Sequence, residues 1–471
     1  MISNIPDHAH PGYFISAPWR SSGKTIFTLG LAHAAKRLGH TTQTFKKGPD
    51  FIDPLWLAAA SGNGCYNLDP YIQQNNQWIE TFNKHAGRAA INLVEGTMGL
   101  HDGLESDGSD SNASVARALN LPVILVVDCR GMHRTVAALL NGVQKFDPSV
   151  QFAGVVLNRI RSSRHEDKVR TALEDHTDIK LLGALPETRN VHINEKQLGL
   201  TPVTECAQIK ELVGFAADLV TEHCDLNSLF GQVREVKSSL PNGDDIPVDQ
   251  GEPMLRVGIA RDEAFHFYYQ DDLDTFAEKG VELVEVSPLR DSFPDDLDGF
   301  IIGGGFPERH AEALSRNVEF IHGLKHSIEA GLAIHAECGG LMYLCKRLKL
   351  DQGSFNMVGI IDGDVHMCRK PQGRGYMKLQ RGSVSGELRA HEFHHSKISF
   401  EKPQKFIFRV TRGHGIDGVH DGIQIDNVQA GFAHFRQTVE NPWIDNFLDR
   451  IVTAKRQSPI AGNPDYSWKM N

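Results

Sequence analysis

The sequence predicts two α/β domains in tandem, the first built on a doubly wound, mostly parallel sheet. Three observations carry this. Short apolar runs alternate with helically spaced segments through the first half of the chain. A polar stretch rich in Pro, Gly and Asp, KSSLPNGDDIPVDQGEP, follows at 237–253, and a fresh alternation begins directly after it. A break of that composition reads as a linker. The expected organisation is an N-terminal domain over 1–236, a linker over 237–253, a second domain over 254–456 and a tail over 457–471.

In the first domain GYFIS (12–16), TTQTF (41–45), INLVE (91–95), PVILVVD (122–128) and FAGVVLN (152–158) read as strands, with helical spacing over 25–38 and 114–119 between them. In the second, LRVGIA (255–260), VELVEVS (281–287), GFIIGGG (299–305) and LAIHAEC (332–338) read as strands. The 471 residues are enough for a sizeable core in each domain. A net charge of −10 argues against a broad nucleic-acid-binding surface, so no nucleic-acid partner is expected. No apolar run is long enough to span a bilayer, and MISNIPDHAHPGYF lacks a signal-peptide pattern. No membrane partner is expected. The 7 cysteines are odd in number, scattered and never in CxxC spacing, which fits a reducing, cytoplasmic setting better than a disulfide framework or a zinc ribbon.

SAPWRSSGKT (16–25) lies between the first strand and the first helix. Its end, Gly23-Lys24-Thr25, matches a phosphate-binding loop, although Pro18 stands where the strict pattern has Gly. Backbone N–H groups at a helix N-terminus cradle phosphate oxygens, Lys24 neutralises them and the Thr25 hydroxyl ligates Mg²⁺. FKKGPDFIDP (45–54) follows the second strand with Lys46, Lys47, Asp50 and Asp53; VEGTMGLHDG (94–103) follows the third, with Glu95 at the strand end. Ligand crevices of open α/β sheets lie at the carboxyl ends of strands, so these loops share one rim, where carboxylates can hold Mg²⁺. Asp53 taken alone reads as an ordinary loop charge. Asp50 and Glu95 beside a Gly-Lys-Thr loop do not. Asp128 also ends a strand and is a further carboxylate of this kind. Asn158 in VVLNR either contacts a base or caps its strand end.

In the second domain IHAECGGLMYL (334–344) stops an apolar strand on Cys338, with Gly339 and Gly340 behind it. Small neighbours permit the sharp strand-to-helix turn that exposes a nucleophile above a sheet, and the helix N-terminus favours thiolate. GGGFPE (303–308) ends the preceding strand, and its backbone N–H groups, with Gly304 and Gly305 in front, suit an oxyanion hole together with Gly339. The base that such a cysteine needs is offered by His434 in QAGFAHFR (429–436). His391, His394 and His395 in HEFHHS read either as a metal cluster or as a substrate-facing loop, and no second ligand group at metal spacing accompanies them. A thiolate and a nucleotide loop on one chain fit amide synthesis. ATP activates a carboxylate as an acyl phosphate, and hydrolysis of glutamine through a thioester supplies ammonia.

FKKGPDFIDP, NLD (67–69), EGTMGLHDG, ARDEAFHFYYQDDL (260–273), GGGFPE, HAECGGLMYL and HEFHHS together resemble the cobyrinic acid a,c-diamide synthase family, in the same order from about residue 12 to 440. That family fuses a dethiobiotin-synthetase-like P-loop domain to a class I glutamine amidotransferase domain of flavodoxin-like fold. The resemblance implies ATP and Mg²⁺ as cofactors, and glutamine and a tetrapyrrole carboxylate as partners. The implied reaction is amidation of the a and c acetates of cobyrinic acid. It implies Cys338 as nucleophile and His434 as the residue that activates it. Ser22, Gly23, Lys24, Thr25 and Asn158 would bind ATP; Lys46, Asp50 and Asp53 would serve substrate activation; Thr25, Asp50 and Glu95 would hold the metal. A homodimer stays open. The chain departs from the family pattern at Trp19 and Arg20, where small residues are usual, and at Leu57, where many members have His. It also departs in KQLGL (196–200) and at Arg436, where a second His is frequent. These departures keep two alternatives in view: a sirohaem amidase with the same chemistry, and a deviant P-loop ATPase that binds a tetrapyrrole without amidating it.

Overall fold

The computed structural model describes residues 10–188, 206–231, 255–382 and 386–457. The expected linker, the KQLGL stretch and the tail beyond 457 lie outside them. The chain divides into two compact units, 1–244 and 245–471.

The first unit is a seven-stranded parallel sheet. Its strands are β1 (Gly12–Ser16), β2 (Thr42–Lys47), β3 (Cys65–Leu68), β4 (Ile91–Glu95), β5 (Val123–Asp128), β6 (Phe152–Ile160) and β7 (Leu181–Pro186). Their order is β3-β2-β4-β1-β5-β6-β7. β1 to β5 are buried along their whole length, because helices cover both faces of a doubly wound sheet. Every expected strand is present. β3 and β7 are additional, so Glu95 ends the fourth strand rather than the third. Helix α1 (Lys24–Arg37) buries Phe27, Leu29 and Leu31, and packs on the helix Cys206–His223. The approach is so close that a Cβ on Gly30 would lie 2.3 Å from the Ala216 carbonyl oxygen. Basic Lys36 and Arg37 sit in the last turn of α1 and no acidic residue in its first, so no residue of α1 itself offsets the positive end of the helix dipole that faces the preceding loop.

The second unit contains strands β8 (Leu255–Ala260), β9 (Phe265–Phe267), β10 (Val281–Val286), β11 (Gly299–Ile302), β12 (Gly304–Gly305) and β13 (Ala333–Glu337). After the short helix α2 (Gly339–Leu344) come β14 (Cys345–Leu350), β15 (Gly353–Asn356), β16 (Ile361–Met367), β17 (Gly373–Arg381), β18 (Glu387–His394) and β19 (Ser396–Phe400). The series closes with β20 (Phe406–Arg412), β21 (His420–Ile425), β22 (Val428–Gly431) and the helix α3 (Trp443–Gln457). The main sheet runs β10-β8-β11-β13-β22-β21-β20-β17-β18. It is parallel from β10 to β22 and antiparallel from β22 to β18. A separate four-stranded sheet holds β15-β14-β16-β19. One expected strand is corrected: 299–305 is not continuous. It breaks at Gly303, and Gly304–Gly305 turn away to pair antiparallel with β9.

Candidate active site

Neighbouring strands β2, β4 and β1 bring three loops of the first unit to one edge, as the register Lys46↔Glu95 and Ile15↔Glu95 requires. Gly23 caps α1 at φ 97, a left-handed conformation in which a side chain is strained. A Cβ there would also lie 2.1 Å from Asn158 Nδ2. Asn158 stands near the end of β6 beside the loop. Its Nδ2 donates to the Ser22 carbonyl at 2.8 Å, and its Oδ1 accepts from Arg159 N at 2.9 Å, so it ties the loop to β6. Ser22 Oγ closes the loop on the Trp19 carbonyl at 2.9 Å. Lys24 Nζ donates to the Met98 carbonyl at 2.7 Å. Burial lowers its pKa to about 8 against the pull of Glu95, an ammonium held ready for an anion.

Thr25 Oγ1 donates to Glu95 Oε1 at 2.8 Å, and Lys46 Nζ donates to the same oxygen at 2.7 Å. Lys46 also pairs with Asp53, so Asp53 is not a free loop charge. Burial alone would lower the Lys46 pKa, but Asp53, Glu95 and Asp50 hold it well above its ordinary value. Burial, then Asp53, pushes Asp50 up to about 6, in reach of proton transfer near neutrality. Asp50 Oδ1 meanwhile accepts from Ile52 N and Asp53 N and shapes the turn. Glu95 Oε2 is buried without a hydrogen-bond partner among the described residues. An orphaned carboxylate oxygen beside a P-loop threonine fits a Mg²⁺ that takes its remaining ligands from phosphate and water. Asp128 is corrected: Arg130 and Arg159 both pair with it, which removes it from the carboxylate set.

In the second unit Cys338 sits between β13 and α2 at φ 48, ψ −100. Its N–H donates to the Gly431 carbonyl at 2.7 Å, which ties the corner to β22. His434 lies three residues beyond β22 and is buried, with Cys338 as a hydrogen-bond partner. Burial lowers the His434 pKa, but the charge and hydrogen bond of Cys338, then Glu337, raise it to about 10. Glu337 was not among the sequence candidates. Its Oε2 lies 3.6 Å from His434 Nδ1, while Oε1 takes His335 Nε2 at 3.0 Å and Phe435 N at 3.1 Å. Burial would raise its pKa; the hydrogen bonds from His335 and His434 lower it to about 2. The result is a Cys–His–Glu constellation. Asp421 fixes the chain leading to His434 by accepting from Phe432 N and Ala433 N.

Gly304, Gly305 and Gly339 gather at the same corner. A Cβ on Gly339 would lie 3.1 Å from Gly305 N, and one on Gly304 would lie 2.5 Å from His434 Cε1. The third glycine of that loop is not a free donor, since Gly303 N donates to Tyr268 Oη at 2.9 Å. Gly304→Ala therefore pushes the imidazole off Cys338. The expected result is a loss of about 100-fold in glutamine hydrolysis, with ammonia-dependent turnover kept, as steady-state rates with each nitrogen donor will show. The three histidines of HEFHHS fall on and just after strand β18, not in a loop. They do not join a group of three or more His, Cys, Asp or Glu side chains that could hold a metal ion among the described residues. His394 stacks on Phe432 at 3.7 Å between ring centroids, and His391 pairs backbone to backbone with His434. Of the departing residues, Arg436 is fully buried on Asp271 and over the Tyr269 ring. Leu57 lies in the core and Trp19 is part-exposed.

Two family models match the chain: a CobQ/CobB/MinD/ParA nucleotide binding domain over residues 21–199, and a CobB/CobQ-like glutamine amidotransferase domain over 256–441. A cobyrinate a,c-diamide synthase of Magnetococcus marinus is 39% identical over 94% of this chain and 97% of its own. One of Archaeoglobus fulgidus is 35% identical, covering 94% of this chain and 98% of its own. A hydrogenobyrinate a,c-diamide synthase of Brucella anthropi is 36% identical over 90% and 98%.

Proposed function

From the premise that the chain belongs to the cobyrinate a,c-diamide synthase family, we propose that it amidates the a and c acetate carboxylates of cobyrinic acid in cobalamin biosynthesis, through an acyl-phosphate intermediate. It is a ligase that forms C–N bonds with glutamine as amido donor. The observation that carries the reading is the pairing of two chemistries on one chain. A buried Cys338–His434–Glu337 set occupies the second unit, and a Lys24–Thr25–Lys46–Glu95 cluster occupies the first.

Cys338 Sγ attacks the carboxamide carbon of glutamine, with N–H groups of the Gly304, Gly305 and Gly339 corner receiving the oxyanion. His434 delivers its proton to the leaving nitrogen, and ammonia departs from a thioester. The same imidazole then takes a proton from the water that releases glutamate. In the first unit Ser22, Gly23 and Lys24 hold the ATP phosphates at the end of α1, and Asn158 keeps the loop in shape. Thr25 and Glu95 would hold Mg²⁺, with Asp50 next to them, and the ion would offset phosphate charge. Lys46, fixed between Asp53 and Glu95, would draw the acceptor carboxylate toward the γ-phosphorus, where the carboxylate oxygen displaces ADP and forms the acyl phosphate. Ammonia displaces phosphate from the acyl phosphate and leaves the amide. The domain bounds proposed are 1–236 for the ligase and 254–456 for the glutaminase.

Mass spectrometry of the full chain with Mg-ATP and glutamine, offered cobyrinic acid and sirohaem in separate reactions, tests the assignment. The expected product is the diamide of cobyrinic acid. Amidation of sirohaem alone would reassign the substrate, and ATP hydrolysis without amidation of either would overturn the reading.

A further inference from the structure

We propose that His335 is a positioning residue of the glutaminase, the outer member of a chain His335–Glu337–His434–Cys338 that fixes the Glu337 carboxylate against His434. The inference rests on the reading of Cys338 as the glutaminase nucleophile. Residues 335 and 337 lie on the same face of β13, two apart. His335 Nε2 and Phe435 N converge on Glu337 Oε1 at 3.0 and 3.1 Å, which leaves Oε2 directed at His434 Nδ1. An ionised carboxylate only accepts, so His335 Nε2 carries the proton and donates it. The His335 ring is itself locked. It stacks on Trp443 with centroids 4.4 Å apart and planes at 23°. Trp443 Nε1 donates to Asp272 Oδ2 at 2.9 Å, and Asp272 Oδ1 accepts from Gln437 N at 3.0 Å. The chain therefore ends on the segment that carries His434.

The charge balance agrees. Burial acts to protonate Glu337, and the hydrogen bond from His335 is the largest effect opposing it, followed by that from His434. The groups that face Glu337 are His335 and Cys338 beside it in sequence, His434 beyond β22, Tyr268 beyond β9, and Arg381 of β17 across a cavity that Glu337, His335 and Trp443 also line. Among the described residues, the titratable groups placed to donate to the carboxylate are His335 and His434, beside the backbone N–H of Phe435. Removing the His335 donor raises the Glu337 pKa. The carboxylate is then lost as pH falls, and His434 loses its partner on the acid side. A histidine that only filled the core would scale activity equally at every pH.

The test is glutamine hydrolysis by the full chain from about pH 5 to about pH 9, in His335→Leu, His335→Asn and His335→Gln variants. Gln places an N–H where Nε2 stands; Leu and Asn do not. In His335→Leu and His335→Asn, kcat is expected to fall by about 10- to 100-fold with KM nearly unchanged, and an acid limb to appear that the wild type lacks. His335→Gln is expected to keep the wild-type profile. Should Leu fail to fold, Asn carries the same comparison. Profiles of unchanged shape in Leu and Asn, or failure of Gln to restore the wild-type shape, would overturn the role. Imidazole added to His335→Ala, whose vacated slot adjoins the cavity, is expected to restore activity in part; no rescue counts against the role. A Cys338→Ser chain that still hydrolyses glutamine would overturn the underlying reading as well, whereas an inactive one beside flat His335 profiles overturns this inference alone.

Discussion

Cys338→Ser is expected to abolish glutamine-dependent amidation while turnover with concentrated ammonium salt continues. Loss of the nucleophile removes the thioester route, and losses on the order of 10⁶ accompany removal of a nucleophile from a buried catalytic set. Serine fits the same corner, since Cys338 is buried and its backbone is held by the Gly431 carbonyl whatever the side chain. Its hydroxyl cannot be the anion that sustains the His434 imidazolium, so the histidine also loses the largest influence holding its pKa near 10. In the proposed reading the ligase chemistry lies with Lys24, Thr25, Lys46 and Glu95, a cluster that contains no part of that set. The measurement is the amidation rate with each nitrogen donor in parallel. Loss of both activities from a folded variant, or glutamine use at the wild-type rate, would remove Cys338 from its role.

Lys24→Ala is expected to abolish both activities together. Lys24 is the buried cation at the head of α1, and its ammonium rests on the Met98 carbonyl at 2.7 Å. Deleting it leaves the helix dipole as a much weaker attraction for phosphate charge. Removal of one preorganised donor to a charged transition state costs about 10²- to 10³-fold. Ammonia-dependent amidation and ATP-dependent phosphate release should fall by that factor, while glutamine hydrolysis without acceptor persists. Full ammonia-dependent activity in the variant would take Lys24 out of the phosphate site.

The parallel core strands of both units were legible because buried strands are written as unbroken apolar runs, as in PVILVVD and LRVGIA. What escaped was written in other terms. β7 (LLGALP) is broken by glycine, and β17 (GRGYMKLQR) and β20 (FIFRVTR) alternate with charged residues, so they read as surface. β12 is two glycines, with no side-chain pattern at all. In the site the Gly-Lys-Thr loop and the Cys-Gly-Gly corner announced themselves locally, because a tight turn demands particular residues. Glu337 did not. As the last residue of an apolar strand it resembles any strand end, and its meaning depends on His434, which only the pairing of β13 with β22 brings alongside. Asp128 was misjudged for the same reason. Its partner Arg159 comes into reach only through the pairing of β5 with β6.

The corner at Cys338 carries one more implication. A non-glycine residue at φ 48, ψ −100 is a standing deficit of about 1–3 kcal/mol, present whether or not glutamine is bound. Selection for thermal robustness alone would install glycine there. On the proposed reading, that deficit accompanies the very residue that gives the chain a nitrogen source other than free ammonia.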